Sequence, residues 1–339
     1  MKNIFLAGGA GYCGSLLTQD LLKQGYKVTI YDTCFFGYSH LPLINKNLNL
    51  VVGDIRDVKY MSEELKKQNF DYFINLACIS NDASFVLDEN LSTSINLHAF
   101  EPMVKAAKES GVKRFIYASS SSVYGVSDQP NVTEDHPLVP LTLYNKYKGE
   151  CEPILKNYID NNFEAVIFRP ATVCGYSPRL RLDLSVNILT HHAYKKNLIT
   201  IFGGDQLRPN LHIQDYCNLV IKLIEADSKL VNGEIFNVGS QNLKIKDIAK
   251  KIQKIFKEKF NRVVDLKYQE SDDKRSYHIN SDKIKSLIGF EPKYTIEDAV
   301  EDLFHAFERG VIQNSMQDIN FYNIKKIQRL IDLKKIDIS

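Results

Sequence analysis

The chain has 339 residues, longer than one typical domain, and its 44% hydrophobic content is ample for a large core or two fused ones. A net charge of +2, with lysines spread evenly rather than blocked, argues against a nucleic-acid partner. No apolar run approaches the roughly 18 residues of a membrane span, and Met1-Lys2-Asn3-Ile4 leads directly into a strand, so a cytoplasmic chain without membrane insertion is expected.

The first apolar strand, near 2–7, runs into Gly8-Gly9-Ala10-Gly11-Tyr12-Cys13-Gly14 and then into a helix near 12–24. One glycine makes the tight turn, one lets a pyrophosphate approach the backbone, and Gly14 lets helix and strand pack closely. The second strand, 27–32, ends in Asp32, 18 residues after Gly14. A carboxylate there bonds an adenosine ribose diol and repels a 2′-phosphate, which predicts NAD rather than NADP. A third strand, 48–52, leads into Gly53-Asp54-Ile55, where Asp54 is placed to accept from the adenine amino group. A fourth, 71–76, continues through Leu76-Ala77-Cys78 as an apolar cofactor lining and reaches the polar Ser80.

Strands near 113–118 and 164–169, with helices near 59–68, 92–110 and 142–160, continue the alternation expected of a doubly wound parallel sheet. The fifth strand closes on four serines, Ser119 to Ser122, and Tyr144 and Lys148 follow at a four-residue spacing that shares one helix face. A neighbouring ammonium favours a phenolate over the ordinary tyrosine value of about 10, which suits a general base near neutral pH. On the extended chain Ser120 and Ser122 share a face while Ser119 and Ser121 point away. Pro153 interrupts the last of these helices and is expected to kink it.

Beyond about residue 170 the rhythm loosens. Strands near 199–202, 234–238 and 263–268, with helices near 182–195, 213–227, 244–258, 281–288 and 295–309, suggest a smaller lobe that covers the substrate. The expected division is a Rossmann-like domain over 1–170, a substrate lobe over 171–315 with some chain returning to the first domain, and a basic amphipathic tail helix over 316–339. That helix is expected to pack on protein rather than on a membrane surface. Six cysteines show no Cys-x-x-Cys spacing, so reduced thiols and no metal site are expected.

These motifs resemble the extended short-chain dehydrogenase/reductases of the nucleotide-sugar epimerase and dehydratase group. The resemblance rests on Gly8 to Gly14, Gly53 to Asp57, Ile116 to Gly125, Tyr144 to Lys148, Arg169-Pro170-Ala171-Thr172, Gly203 to Asp215 and Gly289 to Tyr294, and it runs to about residue 309. It implies Ser120, Tyr144 and Lys148 as catalytic residues, with Lys148 also bonding the nicotinamide ribose. It implies a cofactor site of Gly8, Gly11, Tyr12, Cys13, Gly14, Asp32, Asp54, Ile55, Leu76, Ala77, Cys78, Asn96, Ala118, Tyr144, Lys148 and Pro170. On the substrate side it implies Ser80, Ser121, Ser122, Thr172, Arg208, His212 and Arg275, with Arg208 on a loop and gripping a diphosphate. A homodimer is implied as well.

Two departures narrow the chemistry. Relatives that dehydrate carry Asp-Glu after the catalytic hydroxyl residue, and decarboxylating ones carry a glutamate there; here stand Ser121 and Ser122, which disfavours elimination. The usual asparagine after the sixth strand is Thr172. The expectation is an NAD-dependent 4-epimerase or 4-dehydrogenase of a nucleotide-diphosphate sugar in surface-polysaccharide biosynthesis. The segment Leu207 to His212 resembles capsule-type heptose and hexose enzymes and suggests a GDP-linked sugar. The alternatives are a 4-keto-sugar reductase and a non-catalytic NAD-binding sensor.

Overall fold

Six apolar runs of the first half become parallel strands: β1 (Asn3–Ala7), β2 (Lys27–Asp32), β3 (Leu48–Val52), β4 (Tyr72–Asn75), β5 (Arg114–Ala118) and β6 (Glu164–Pro170). In the computed structural model, which describes residues 1–80, 82–85, 87–271 and 276–336, they join a seven-stranded sheet. The remaining strands are β7 (Thr172–Cys174), β8 (Leu198–Phe202), β9 (Leu207–His212), β10 (Ile235–Val238), β11 (Gln241–Lys244) and β12 (Asp265–Gln269). The large sheet has the order β10-β6-β5-β4-β1-β2-β3, every pair parallel. Sequential strands therefore run outward from β1 in both directions, and the reversal beside β1 opens a crevice at the carboxyl ends of the strands.

The helices are α1 (Tyr12–Lys23), α2 (Val58–Lys66), α3 (Asp82–Phe85), α4 (Glu89–Thr93), α5 (Phe100–Glu109), α6 (Leu143–Lys156), α7 (Ser185–Lys196), α8 (Ile213–Glu225), α9 (Ser228–Val231), α10 (Ile245–Phe260), α11 (Asp282–Ile288), α12 (Ile296–Glu308) and α13 (Asn323–Asp332). Alternate residues of each strand feed opposite faces of the sheet. Ile4 and Leu6 pack with Leu17 and Leu21 of α1, Leu219 of α8 and Ile284 of α11. Phe5 and Ala7 pack with Met61 of α2, Met103 of α5, Leu155 of α6, and Ile327 and Leu330 of α13. Both faces are covered, which is why these strands read as nearly continuous apolar runs. A separate core joins α7, α10, α12 and β8 through Val186, Ile252, Val300 and Ile199.

Three local departures from the sequence expectation have physical causes. The helix expected over 92–110 is broken: a π turn over Ser94–His98 separates α4 from α5. Pro102 lies in the first turn of α5, where its missing N–H costs nothing but cannot continue an earlier helix. α6 runs through Pro153 and ends at Lys156. Residues 207–212, expected as a loop around Arg208, form β9, the middle strand of the sheet β11-β9-β7. Pro209 faces Asn242 of β11, and pairing with β7 begins only at Asn210, so the proline interrupts one edge rather than two.

Candidate active site

The glycine turn is shaped for close approach. Gly8 has φ +85°, and a Cβ there would stand 2.6 Å from the Ala77 nitrogen; a Cβ on Gly14 would stand 2.3 Å from the Gly8 carbonyl oxygen. The α1 N-terminus at Gly11 has no side-chain cap among the described residues, so its first amides present donors and a positive dipole end to the crevice. Asp32 ends β2 beside it, accepting from the Ala10 amide at 3.0 Å and the Cys34 amide at 2.8 Å. Burial pushes its carboxyl up, opposed by those two amides. Each oxygen keeps a further lone pair for a ribose hydroxyl. A cleft of about 370 Å³ opens over these groups, lined also by Tyr12, Cys13, Ile55, Leu76, Ala77, Cys78 and Pro170. Asp54 lines it too, but its carboxylate is held by Arg56 at 2.8 Å.

The same cleft reaches the serine run. Beyond β5, Ser120 caps a 3₁₀ turn over Ser121–Tyr124, and its hydroxyl lies 2.7 Å from that of Ser122. Ser122 donates to Asn145 Oδ1 at 2.5 Å. Thr142 caps α6 by accepting from the Asn145 amide, which sets Tyr144, Asn145 and Lys148 on its first turns, all lining the cleft with Ser121 and Ala118. Lys148 is buried, and its ammonium donates to the Ala118 carbonyl at 2.8 Å while standing 5.1 Å from the Tyr117 ring. Ser119 turns away and donates to Glu152 at 2.6 Å. Glu152 is clamped by Arg169 at 2.9 and 2.6 Å. Burial opposes the Arg169 charge, yet the Glu152 carboxylate outweighs it and holds the guanidinium above its ordinary value.

A second cavity adjoins the first, sharing Ser122, Asn145, Thr172, Leu184 and Tyr277, and Arg208 lines it. Arg208 stands on β9 with its guanidinium 5.4 Å from the Tyr277 ring, while Asp205 pairs with Lys244 and Lys246. Thr172 lies 3.5 Å from the Tyr277 hydroxyl. Ser80 lines the main cleft and accepts from Arg181 at 2.9 Å. Two expected residues lie elsewhere. His212 caps α8, accepting from the Gln214 amide and stacking on Tyr294, outside both cavities. Asn96, in the π turn, spends its amide on the Ile79 backbone, donating to its carbonyl and accepting from its N–H at 2.9 Å each, so it supports the cofactor wall from behind. Arg275 lies outside the described residues.

Residues 4–239 match the NAD dependent epimerase/dehydratase family. The chain belongs to that family. Its cofactor is NAD, and the cradle of Gly8 and Gly14, the uncapped α1 and Asp32 fit that dinucleotide. The epimerase/dehydratase chain is 25% identical over 91% of its length to a UDP-glucose 4-epimerase of Rhizobium meliloti, covering 98% of that protein. It is likewise 25% identical over 98% of its length to a dTDP-D-glucose 4,6-dehydratase of Mus musculus, covering 93% of it. In fold it resembles a UDP-glucose 4-epimerase of Thermotoga maritima (TM-score 0.81, 22% identity, 91% of this chain and all of that one). It also resembles a dTDP-glucose 4,6-dehydratase of Streptomyces venezuelae solved with NAD (TM-score 0.80, 20% identity, 92% and 99%).

Several lining residues of this epimerase/dehydratase belong to no motif of its sequence. Phe35 and Phe36 follow β2, Tyr216 comes from α8, and Asn323 and Ile327 arrive from α13, more than 300 residues from the glycine turn. Arg179 and Arg181 also line the cleft. The visible hint was their alternation in Arg179-Leu180-Arg181-Leu182-Asp183, with both arginines facing one way and both leucines the other. Leu180 and Leu182 are indeed core residues, packed with Tyr12 of α1, Ile213 of α8 and Leu303 of α12.

Proposed function

We propose that this enzyme carries out hydride transfer at C4 of the sugar of a nucleotide-diphosphate sugar, with return of the hydride to give the C4 epimer. The reading is carried by the hydroxyl chain Ser120–Ser122–Asn145, which shares the cleft with Tyr144 and Lys148 and has no carboxylic acid within it. Among the described lining residues the carboxylates are Asp32 and Asp54 in the cofactor half and Asp183, which is paired with Arg181. Elimination of water needs an acid beside the sugar, so its absence from this hydroxyl chain supports oxidation and reduction alone. NAD, when bound, supplies the hydride acceptor and donor. Tyr144 takes the proton of the C4 hydroxyl, Ser120 holds that hydroxyl by a hydrogen bond, and Lys148, fixed under the end of β5, places positive charge below both.

The adjoining cavity with Arg208 is assigned to the nucleotide diphosphate, because a guanidinium fork matches two phosphate oxygens. Residues 1–170 serve as the main cofactor unit and 171–315 as the sugar unit, with β10, α8 and α11 of the latter returning to the large sheet. The names of the relatives favour a UDP or dTDP carrier; the GDP-linked sugar suggested by Leu207 to His212 stays in the same test. A cytoplasmic homodimer working in surface-polysaccharide synthesis belongs to the same proposal, and light scattering reads its assembly. A 4-dehydrogenase, which releases the keto sugar, is the second reading, since the same residues perform its one step.

The test is incubation of the purified protein with UDP-, dTDP-, GDP- and CDP-sugars, followed by NMR of the product and absorbance of NADH. Inversion at C4 without accumulating NADH is expected, and Tyr144→Phe should lose about 10²–10⁴-fold in rate while keeping NAD binding. Stoichiometric NADH would select the dehydrogenase. A 4-keto-6-deoxy product would overturn the exclusion of elimination.

A further inference from the structure

Segment 175–183 reaches across from the second lobe and is fastened to the first turn of α1. Ser177 donates to the Tyr12 carbonyl at 2.6 Å, and its hydroxyl lies 2.8 Å from that of Ser15. The Arg179 amide donates to the Ser15 hydroxyl at 3.2 Å, and the Tyr12 hydroxyl donates to the Gly175 carbonyl at 2.7 Å. These bonds set two guanidiniums against the uncapped N-terminus of α1, where Gly11, Tyr12 and Cys13 line the same cleft. Arg179 is 5% exposed and Arg181 7%.

Both arginines are held in place without being saturated. Arg179 lies over the Phe36 ring at 3.8 Å and donates from Nη2 to Asn323 Oδ1 at 2.6 Å. Arg181 donates from Nε to Asp183 at 2.9 Å and from Nη1 to Ser80 at 2.9 Å. Arg179 Nε and Arg181 Nη2 are buried with no hydrogen-bond partner among the described residues. A buried N–H left unpaired on a charged group is costly. Burial, and then the neighbouring Arg181 charge, push Arg179 down to about 9. Asp183 is bonded to Arg181, whereas Arg179 has no carboxylate in ion-pair contact among the described residues and feels Asp183 and Asp32 only at longer range.

We propose that Arg179 and Arg181 form a clamp for the diphosphate of the bound dinucleotide, closing on it from the second lobe opposite the glycine turn. A dinucleotide diphosphate is a dianion, which matches two cationic forks facing a helix N-terminus. Asn323 of α13 acts as a positioning residue, since its side chain also donates to Ser80 at 3.1 Å and its amide to Asp183 at 2.9 Å. The clamp joins the two lobes and the C-terminal helix around the cofactor. It therefore favours a resident cofactor, as an epimerase needs, over one exchanged at every turnover.

The inference rests on the NAD site already described, and titration calorimetry of the full-length protein, first freed of any copurifying NAD, with NAD, ADP-ribose, adenosine and UDP-glucose separates the two. Wild-type protein that binds none of the first three would overturn the NAD site itself. With the clamp in place, Arg181→Gln should weaken NAD and ADP-ribose by about tenfold or more and leave adenosine, which has no phosphate, within about twofold. Arg179→Lys, which keeps the charge and the stacking position but not the fork, should show a smaller loss with the same selectivity; it remains informative if Arg181→Gln does not fold. Unchanged NAD affinity in a folded variant would overturn the clamp, as would an equal loss for adenosine. A loss confined to the nucleotide sugar would overturn it too, assigning the arginines to a substrate anion.

Discussion

Ser119 and Ser120 are neighbours with opposite commitments. Ser120 presents its hydroxyl to Ser122 and the cleft, whereas Ser119 sends its own into the buried Glu152 carboxylate. Ser120→Ala should therefore cost about 10²-fold or more in rate, the loss of a transition-state hydrogen bond, with thermal stability nearly unchanged. Ser119→Ala should lower stability by about 1–3 kcal/mol, leaving part of Glu152 unpaired, with a milder effect on rate. Turnover measured beside thermal melts checks both; a larger rate loss for Ser119→Ala would reverse the assignment. The opposed directions of these two serines were legible because side chains on an extended backbone alternate. The i, i+4 spacing of Tyr144 and Lys148 was legible for a similar local reason. Arg179 and Arg181 were not, because what distinguishes them is contact at long range: Arg179 with Ser15 and Asn323, 164 and 144 positions away, and Arg181 with Ser80, 101 positions away. His212 looked functional by its neighbours in sequence, yet a histidine just before a helix is also a ready N-cap, and the fold uses it so.

The elements around the serine run are held by one buried network. Glu152 of α6 meets Arg169 of β6, Arg169 Nη1 donates to Tyr124 at 2.5 Å, and Tyr124 donates to Asn237 of β10 at 2.7 Å. Four elements are thus locked beneath Ser120. Removing one partner of a buried ion pair leaves the other charge stranded, so Glu152→Ala should destabilise by about 3–5 kcal/mol. The double variant Glu152→Ala, Arg169→Met should lose less than the single one, and urea titrations of the four-member cycle measure the difference. Additive losses would show that the pair is uncoupled. Strands β1 to β6 were legible to within a residue or two because burial on both faces demands unbroken apolar runs. β7, β9 and β11 are short and half-polar, and Pro209 argued against a strand, so only their mutual pairing reveals them. The π turn at Ser94–His98 has no apolar signature either; it swings Asn96 onto Ile79.

At the scale of the whole molecule, the C-terminal chain links the core of α7 and α12 to the large sheet, and its root is a titratable contact. Beyond α12 the chain passes Ser315, whose hydroxyl lies 2.9 Å from His191 Nε2 of α7, and Tyr322 donates to the Ser315 carbonyl at 2.9 Å. From there α13 crosses to bury Ile327 and Leu330 against the large sheet. His191 is fully buried, stacks on Phe307, and has His192, Lys195 and Lys196 as its charged neighbours. Burial first, then those like charges, pull it from 6.5 to about 4. The unfolded chain consequently binds one more proton than the folded one between about pH 6.5 and about pH 4, so stability is lost as pH falls through that window. The loss attributable to this residue should reach about 3–4 kcal/mol at most at the acid end. His191→Gln keeps a polar partner for Ser315 but cannot titrate. Its unfolding free energy from urea titrations should be flatter than wild type between those limits, with the two curves converging in shape above pH 7. An unchanged acid slope in the variant would move the titration elsewhere. If the slope flattens, NAD retention by the wild type should also weaken on the acid side, because Asn323, which bonds Arg179 and Asp183, hangs from the same segment.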